Sequence, residues 1–330
     1  MTSGDGMAVA DASIRAVNGL TSRWAGVPDG GSVARRGPDG HPAAPRGTGT
    51  APVHHGELLQ GMFTGPGGVP VRGLVTLPCP LFTTRAVFTP SAVGGVGVSP
   101  PWKRKAARAA GLALGGLAAG GRLELTGEVP PGRGFGSSTS DVLAAVRAVR
   151  DALGAPLTAP EAARLAVRAE TASDALMFED TTVLFAQREG TVLEDFGQRL
   201  PPLRVLGFGT RPGTRGVDTL ALPAPDYDAA ELARFERLRA RLREALRTGD
   251  AALVGAVATE STLLNQRRLP VPALDTLLGV ARACGALGLQ VAHSGDLAGL
   301  LLAPGTGTGP ARALLRRAGV GECWEFTAGG

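Results

Sequence analysis

At 330 residues, with 44% hydrophobic and 19% charged, the chain has enough apolar material for one large domain or two fused lobes. Its formal charge of +5 is carried almost wholly by arginine, since Lys103 and Lys105 are the only lysines. The arginines are scattered among Asp and Glu, which argues against a nucleic-acid binder and leaves a modest positive field suited to an anionic ligand.

Three cysteines without C-x-x-C spacing exclude a disulfide scaffold. Four histidines (His41, His54, His55, His293) show no H-E-x-x-H spacing. No apolar run reaches the ~18–20 residues of a membrane span, and the N-terminus lacks an export signal, so the expected location is cytoplasmic. Residues 1–50 read as a disordered extension: Gly30 to Gly49 is rich in Gly, Pro, Arg and Ala, has no hydrophobic period, and cannot offset chain entropy. From Val53 the pattern becomes globular. Leu123–Val129 alternates and predicts a strand. Ser137–Leu153 predicts a helix with hydroxyl residues at its start and Gly154 past its end. Pro160 opens another helix, with Leu165, Ala166 and Ala169 turned inward. Thr181–Phe185 and Thr191–Leu193 read as paired strands, and Leu203–Gly209 as a further strand. Residues 228–247, 250–264 and 272–287 are helical in pattern. Leu289–Ala292 and Gly299–Leu302 read as strands around a polar turn, followed by a helix at 310–318 and a strand at 322–327. The mixture is α+β. A composition break at Leu200-Pro201-Pro202 divides a lobe of residues 51–200 from one of residues 201–330.

The segment Pro130-Pro131-Gly132-Arg133-Gly134-Phe135-Gly136-Ser137-Ser138 joins the predicted strand to the predicted helix. Its glycines permit positive φ and close approach of backbone to a ligand. Successive amides in such a turn form an anion nest, and the helix adds free N–H groups and its positive dipole end. Ser137, Ser138 and Thr139 supply hydroxyls for phosphate or a magnesium ion. A tight turn of the same composition, in a chain with 49 glycines, needs no ligand. The loop is neither a Walker A loop nor a protein-kinase loop, and it makes no convincing dinucleotide fingerprint.

The pattern P-x-G-x-G-x-G-S-S resembles the second signature motif of the GHMP kinases. His55-Gly56-Glu57-Leu58-Leu59-Gln60-Gly61 resembles the first motif, and Gln290 to Leu300 (QVAHSGDLAGL) the third, in the family's order. Within the superfamily the chain is most similar to the L-threonine kinases of cobalamin synthesis. It shares with them Gly56–Gly61, Ser137–Asp141, Val217-Asp218-Thr219 and the run Asn265 to Pro272. The likeness spans residues 53–303. It implies a two-lobed GHMP kinase fold, with an N-terminal lobe like ribosomal protein S5 domain 2 and a ferredoxin-like C-terminal lobe.

The resemblance implies ATP, with its phosphates on Pro130, Gly132, Arg133, Gly134, Phe135, Gly136, Ser137, Ser138 and Thr139. It implies Mg²⁺ on Ser138 and Glu170, and Asp174 as the catalytic carboxylate. Glu170 and Asp174 are spaced i, i+4 and share a face if the helix continues that far; ordinary surface acids are the plain alternative. The threonine kinases carry an E-P-T-D run where this chain has Glu170-Thr171-Ala172-Ser173-Asp174. His55, Glu57, Gln60, Ser294 and Gly295 are the acceptor-site candidates, against packing and turn roles. His54 adjoins the first motif as substrate contact or structural cap, and the threonine kinases carry Cys where His55 stands. Asn265 and Gln266 are equally placed for structure or binding.

The expected reaction is transfer of the γ-phosphoryl group of ATP to the hydroxyl of a small amino acid, first L-threonine. Homoserine or another hydroxylated amino acid of specialised metabolism is the alternative acceptor, and a non-catalytic ligand sensor the alternative of another class. The expected partner is the small-molecule substrate, with no nucleic acid and no membrane; self-association as a homodimer is allowed.

Overall fold

The computed structural model describes residues 46–117, 119–130, 132–211, 227–292 and 295–330. Two long strands organise the chain. β1 (Gly47–Thr64) and β2 (Pro70–Ser91) pair antiparallel from Gly47 opposite Phe88 to Thr64 opposite Pro70. Neither reads as a simple strand, because prolines and register shifts at Pro52/Val53, His54/Glu57 and Glu57/Leu59 break the two-residue period. β1 begins ahead of the boundary expected at residue 50. Gly47 and Gly49 let it lie flush on α2 (Ser137–Ala152), where a Cβ on Gly49 would sit 2.2 Å from the Ala144 carbonyl oxygen. The earlier part of the expected extension, residues 1–45, lies outside the described residues, as do Pro131, Val217-Asp218-Thr219, His293 and Ser294.

β4 (Gly120–Thr126) pairs with β2, three residues earlier than the 123–129 expected. β3 (Gly95–Ser99) runs parallel to it, with α1 (Arg104–Ala113) as the crossover. α3 (Ala159–Glu170) starts on a Thr158 side-chain cap. The hairpin of β5 (Val183–Ala186) and β6 (Thr191–Asp195) meets β2 at Leu74 opposite Phe185. The second half contributes β7 (Leu203–Gly209), β8 (Gly288–Val291), β9 (Leu297–Leu302) and β10 (Cys323–Ala328). Its helices are α4 (Ala229–Thr248), α5 (Ala251–Asn265), α6 (Leu274–Ala283) and α7 (Gly309–Arg317). α4 opens on a reciprocal Asp228–Glu231 capping box. α6 is shorter than the 272–287 expected, bounded by left-handed Ala273 and by Cys284.

One sheet runs β10-β7-β9-β8-β1-β2-β4-β3. The halves join where Glu57 of β1 pairs with Val291 of β8. α1, α2 and α3 cover one core with small side chains: Ala106, Ala109, Ala110, Ala144, Ala145 and Ala148 are all buried. Close alanine contact there replaces the aromatic bulk that the chain lacks. β7 is buried on both faces, Leu203 and Val205 toward α4 and α5, Leu206 and Phe208 toward α6 and α7. The second core draws Val53, Leu77 and Leu184 together with Leu203, Phe235 and Leu301, so the lobes expected for 51–200 and 201–330 share it.

Gly49→Ala should destabilise the fold by about 1–3 kcal/mol, since backbone meets backbone at that contact and neither side can yield cheaply. Denaturant unfolding should show a lower midpoint with an unchanged slope; an unchanged midpoint would place β1 elsewhere.

Candidate active site

The glycine loop lies where the sequence places it, between β4 and α2. Gly132, Gly134 and Gly136 all have positive φ (73°, 104° and 66°). Gly136 is the N-cap of α2 and no side chain caps that helix end, so the amides of its first turn stay open to a ligand. The loop is tightly held from behind. Phe135 is 3% exposed and packs edge-on against Phe82 and His55, and its carbonyl accepts the His54 amide at 3.1 Å. Arg133, expected on phosphate, is instead tied to Asp296: Nε donates to Oδ1 at 2.7 Å, and the Arg133 carbonyl accepts the Asp296 amide at 3.0 Å. Its guanidinium also lies over Trp324, 5.7 Å from the ring centre. Gly295 backs onto the same loop. A Cβ there would sit 2.1 Å from the Arg133 carbonyl oxygen, so this residue, expected to touch the acceptor, fixes the loop.

Two carboxylates converge under the loop, though not by the helical spacing expected. α3 ends at Glu170, and Thr171 turns the chain with a φ of 74°. That turn brings Asp174 back beside α2. Ser138 Oγ donates to Glu170 Oε2 at 2.6 Å, and Thr139 Oγ1 lies 2.7 Å from Glu170 Oε1 and 3.1 Å from Asp174 Oδ2. Thr139 has one proton, so it serves one carboxylate at a time. Glu170 is 3% exposed, and burial raises its pKa to about 7 although the two hydroxyls pull it down; the nearby Asp174 charge adds to the rise and Lys105 opposes it. Burial alone would also raise Asp174. His54, then the Thr139 hydroxyl and the Lys105 charge, outweigh it and hold this carboxyl below its ordinary value.

His54, which the sequence leaves between substrate contact and structural cap, lies against Asp174. It is fully buried, its Nε2 stands 3.0 Å from Asp174 Oδ2, and its Nδ1 donates to the Gly56 carbonyl at 3.2 Å. Burial would push the imidazole down, but the charges of Asp174 and then Glu57 raise its pKa to about 9. Ligand atoms of His54, Glu57 and Asp174 all lie within 4.8 Å of one another. Glu57, expected at the acceptor site, thus lies beside Asp174.

His55 does not. It is buried among Phe135, Trp324 and Phe326, its Nδ1 donates to Gln290 Oε1 at 3.0 Å, and burial lowers its pKa to about 4 despite that bond. It is a neutral core histidine. Gln60 ties β1 to α5 through its backbone: its N–H donates to Ser261 Oγ and its carbonyl accepts from Asn265 Nδ2. Asn265 and Gln266 are structural, the latter joining Thr262 to Val271. The two lysines both serve this end of the molecule, Lys103 by pairing with Asp141 of α2 and Lys105 by its charge. Their rarity was the sequence signal for them. A separate cavity of about 300 Å³, bordered by Val53, Thr76, Ala175, Leu176, Leu200 and Ala328, has none of the carboxylates or loop residues in its lining. Among the described residues, no helix is long and apolar enough to cross a membrane.

A sheet with helices in two fused lobes, a glycine loop at an uncapped helix end and two carboxylates beside that end define an α+β fold with a candidate anion-binding site. Comparison with solved structures agrees. Homoserine kinase from Cytophaga hutchinsonii is similar with a TM-score of 0.60 at 18% identity, over 86% of this chain and 94% of that one. MDDEF in complex with MVAPP, AMPPCP and magnesium is similar with a TM-score of 0.62 at 16% identity, over 86% and 97%. The GHMP kinases N terminal domain matches residues 103–178 and the GHMP kinases C terminal domain matches residues 242–314. Each half of the chain is thus similar to one GHMP kinase domain. It is 30% identical over 181 residues to the L-threonine kinase of Citrobacter freundii, a match covering 55% of this chain and 62% of that protein.

The His54–Asp174 pair makes stability depend on pH in a defined window. A histidine whose folded pKa is raised from 6.5 to about 9 contributes fully below pH 6.5 and loses that contribution as pH rises through about 9. Thermal unfolding between these limits should show a falling melting temperature in the native chain and a flatter profile in Asp174→Asn. Equal slopes in the two proteins would refute the ion pair.

Proposed function

We propose that the chain is an ATP-dependent kinase that phosphorylates the hydroxyl of a small amino acid, L-threonine first. The observation that carries this is the convergence of an uncapped, glycine-lined helix N-terminus with two carboxylates, buried Glu170 and half-buried Asp174, that share the Thr139 hydroxyl. The likeness to an L-threonine kinase supports the choice of acceptor.

Pro130, Gly132, Gly134, Phe135, Gly136, Ser137, Ser138 and Thr139 would hold the phosphates, chiefly through loop and helix amides. A divalent cation fits Ser138 and Glu170. These are hard oxygen donors 2.6 Å apart, and the Glu170 carboxylate, buried among hydroxyl donors with no cation at bonding distance among the described residues, is an electrostatic cost that a cation would remove. Magnesium there would neutralise charge on the transferring group. Asp174 would accept a hydrogen bond from the acceptor hydroxyl and aim it in line. Glu57, on the same side, would face the ammonium group of the amino acid. Positioning and charge compensation would supply most of the rate.

The deciding experiment is ADP release from Mg-ATP against L-threonine, L-serine, L-homoserine and small amino alcohols, with mass detection of product. Turnover on L-threonine with phosphothreonine formed is the expected result. Turnover on another hydroxy compound would replace the acceptor, and none on any would remove the reading. Asp174→Asn should lower kcat by about 10²–10⁴-fold while ATP affinity stays within a few-fold; unchanged turnover would take Asp174 out of the site. Glu170→Gln should raise the magnesium concentration needed for half-maximal rate.

A further inference from the structure

We propose that His54 is a positioning residue, an imidazolium that grips Asp174 by Oδ2 and so leaves Oδ1 as the oxygen presented to the acceptor hydroxyl. This rests on the role given to Asp174 above, but the contact itself stands on geometry.

Among the described residues, His54 Nε2 stands 3.0 Å from Asp174 Oδ2 as an ion pair, and Thr139 Oγ1 donates to the same oxygen at 3.1 Å. The Asp174 amide donates to the same Thr139 oxygen at 3.3 Å, which fixes the carboxylate from its own backbone. His54 is fixed in turn. Its amide is held by the Phe135 carbonyl, its Nδ1 by the Gly56 carbonyl, and its ring fills the space that a side chain at Gly136 would occupy. A Cβ on Gly136 would stand 2.2 Å from the ring and 3.1 Å from Asp174 Oδ2. Gly136 therefore serves the dyad as well as the phosphate loop.

With both nitrogens facing acceptors, the ring is stable only with two protons. The charged and titratable groups around the dyad agree. Glu57 of β1 and Asp174 favour the cation. Glu170 at the end of α3 adds negative charge, while Lys105 of α1 favours the carboxylate form of Asp174. His55 is kept neutral in its aromatic box and does not compete. A carboxylate gripped in this way is a weak base. It orients the acceptor hydroxyl as an anionic hydrogen-bond acceptor and stays ionised in mildly acidic solution, where a buried carboxyl without the cation would be protonated.

Two measurements on the full chain test this. The first needs no turnover: titrate the imidazole nitrogens of the ¹⁵N-labelled protein by NMR. There are only four histidines, and His54→Gln identifies the signal. One ring should remain doubly protonated at pH 8 and should lose that proton more readily, by about one pH unit or more, in Asp174→Asn. A neutral His54 at pH 7, or an unchanged midpoint in Asp174→Asn, overturns the proposal. The second is the pH profile of kcat in His54→Gln. We expect kcat to fall by about tenfold, the ATP KM to stay within about twofold, and the acid limb to move up by about one pH unit, because burial then raises Asp174 unopposed. A lower kcat with an unmoved acid limb reduces His54 to a structural residue. If the native chain turns over none of the acceptors, the kinase reading fails by itself, and the NMR titration still decides the dyad.

Discussion

Glu170 and Asp174 reach the same threonine hydroxyl, and two carboxylates this close, one buried and one half-buried, resist being charged together. The protein separates them by environment. Asp174 is paired with a histidine cation and held low, whereas Glu170 has, among the described residues, hydroxyl donors alone at bonding distance and is pushed up by burial to about 7. One acid is therefore a settled anion and the other a charge waiting for a counter-charge. Their surroundings drive the two titrations apart, as in other acid pairs.

Meeting that constraint accounts for much of the local architecture. α3 must stop at Glu170 and the chain must reverse, which Thr171 does in a conformation costly for a residue other than glycine. α2 must begin without a side-chain cap so that Ser138 and Thr139 are free to face the carboxylates. β1 must bulge, because His54, Gly56 and Glu57 have to serve one site while Val53 and Leu58 remain in the core. The join of β1 to β8 at Glu57 then ties the site to the second half, so the two lobes meet where the chemistry is placed.

The elements legible in the sequence were those with one clear period. α2 was readable to within a residue at its C-terminus, and β7 in full, because helix spacing and a short apolar run with flanking turns leave little choice. Residues 47–113 were not. β1 and β2 carry internal prolines and register shifts, and α1 is nearly all alanine, glycine and basic residues, so neither a two-residue nor a 3.6-residue period stands out. The same bulge explains the exchange of roles between two adjacent histidines. Alternation says that neighbours on a strand point apart but not which one faces the site. The shifts around residues 53–57 put His54 against Asp174 and His55 in the aromatic core. Glu170 and Asp174 do come together, but not on the i, i+4 face expected: the helix ends at Glu170, and a strained turn at Thr171 brings Asp174 to the Thr139 hydroxyl that Glu170 also reaches.

Arg133 shows how the loop's charge is meant to act. A guanidinium within a glycine-rich anion loop reads as a phosphate ligand, yet Asp296 neutralises it and Trp324 takes its face. The carboxylate of Asp296 is itself pushed up by burial, with Arg133 as its largest opposing influence, so each group keeps the other in place. What remains to attract an anion at the loop is the backbone, three positive-φ glycines and an uncapped helix end, with Lys105 at the margin. Amides cannot follow a ligand as a long side chain can. They work only if the loop is held still, and the Arg133–Asp296 clasp, the Gly295 contact and the Phe135 anchor hold it from three sides. The arginine contributes to the site by fixing the shape of the nest, and its charge is used up in doing so.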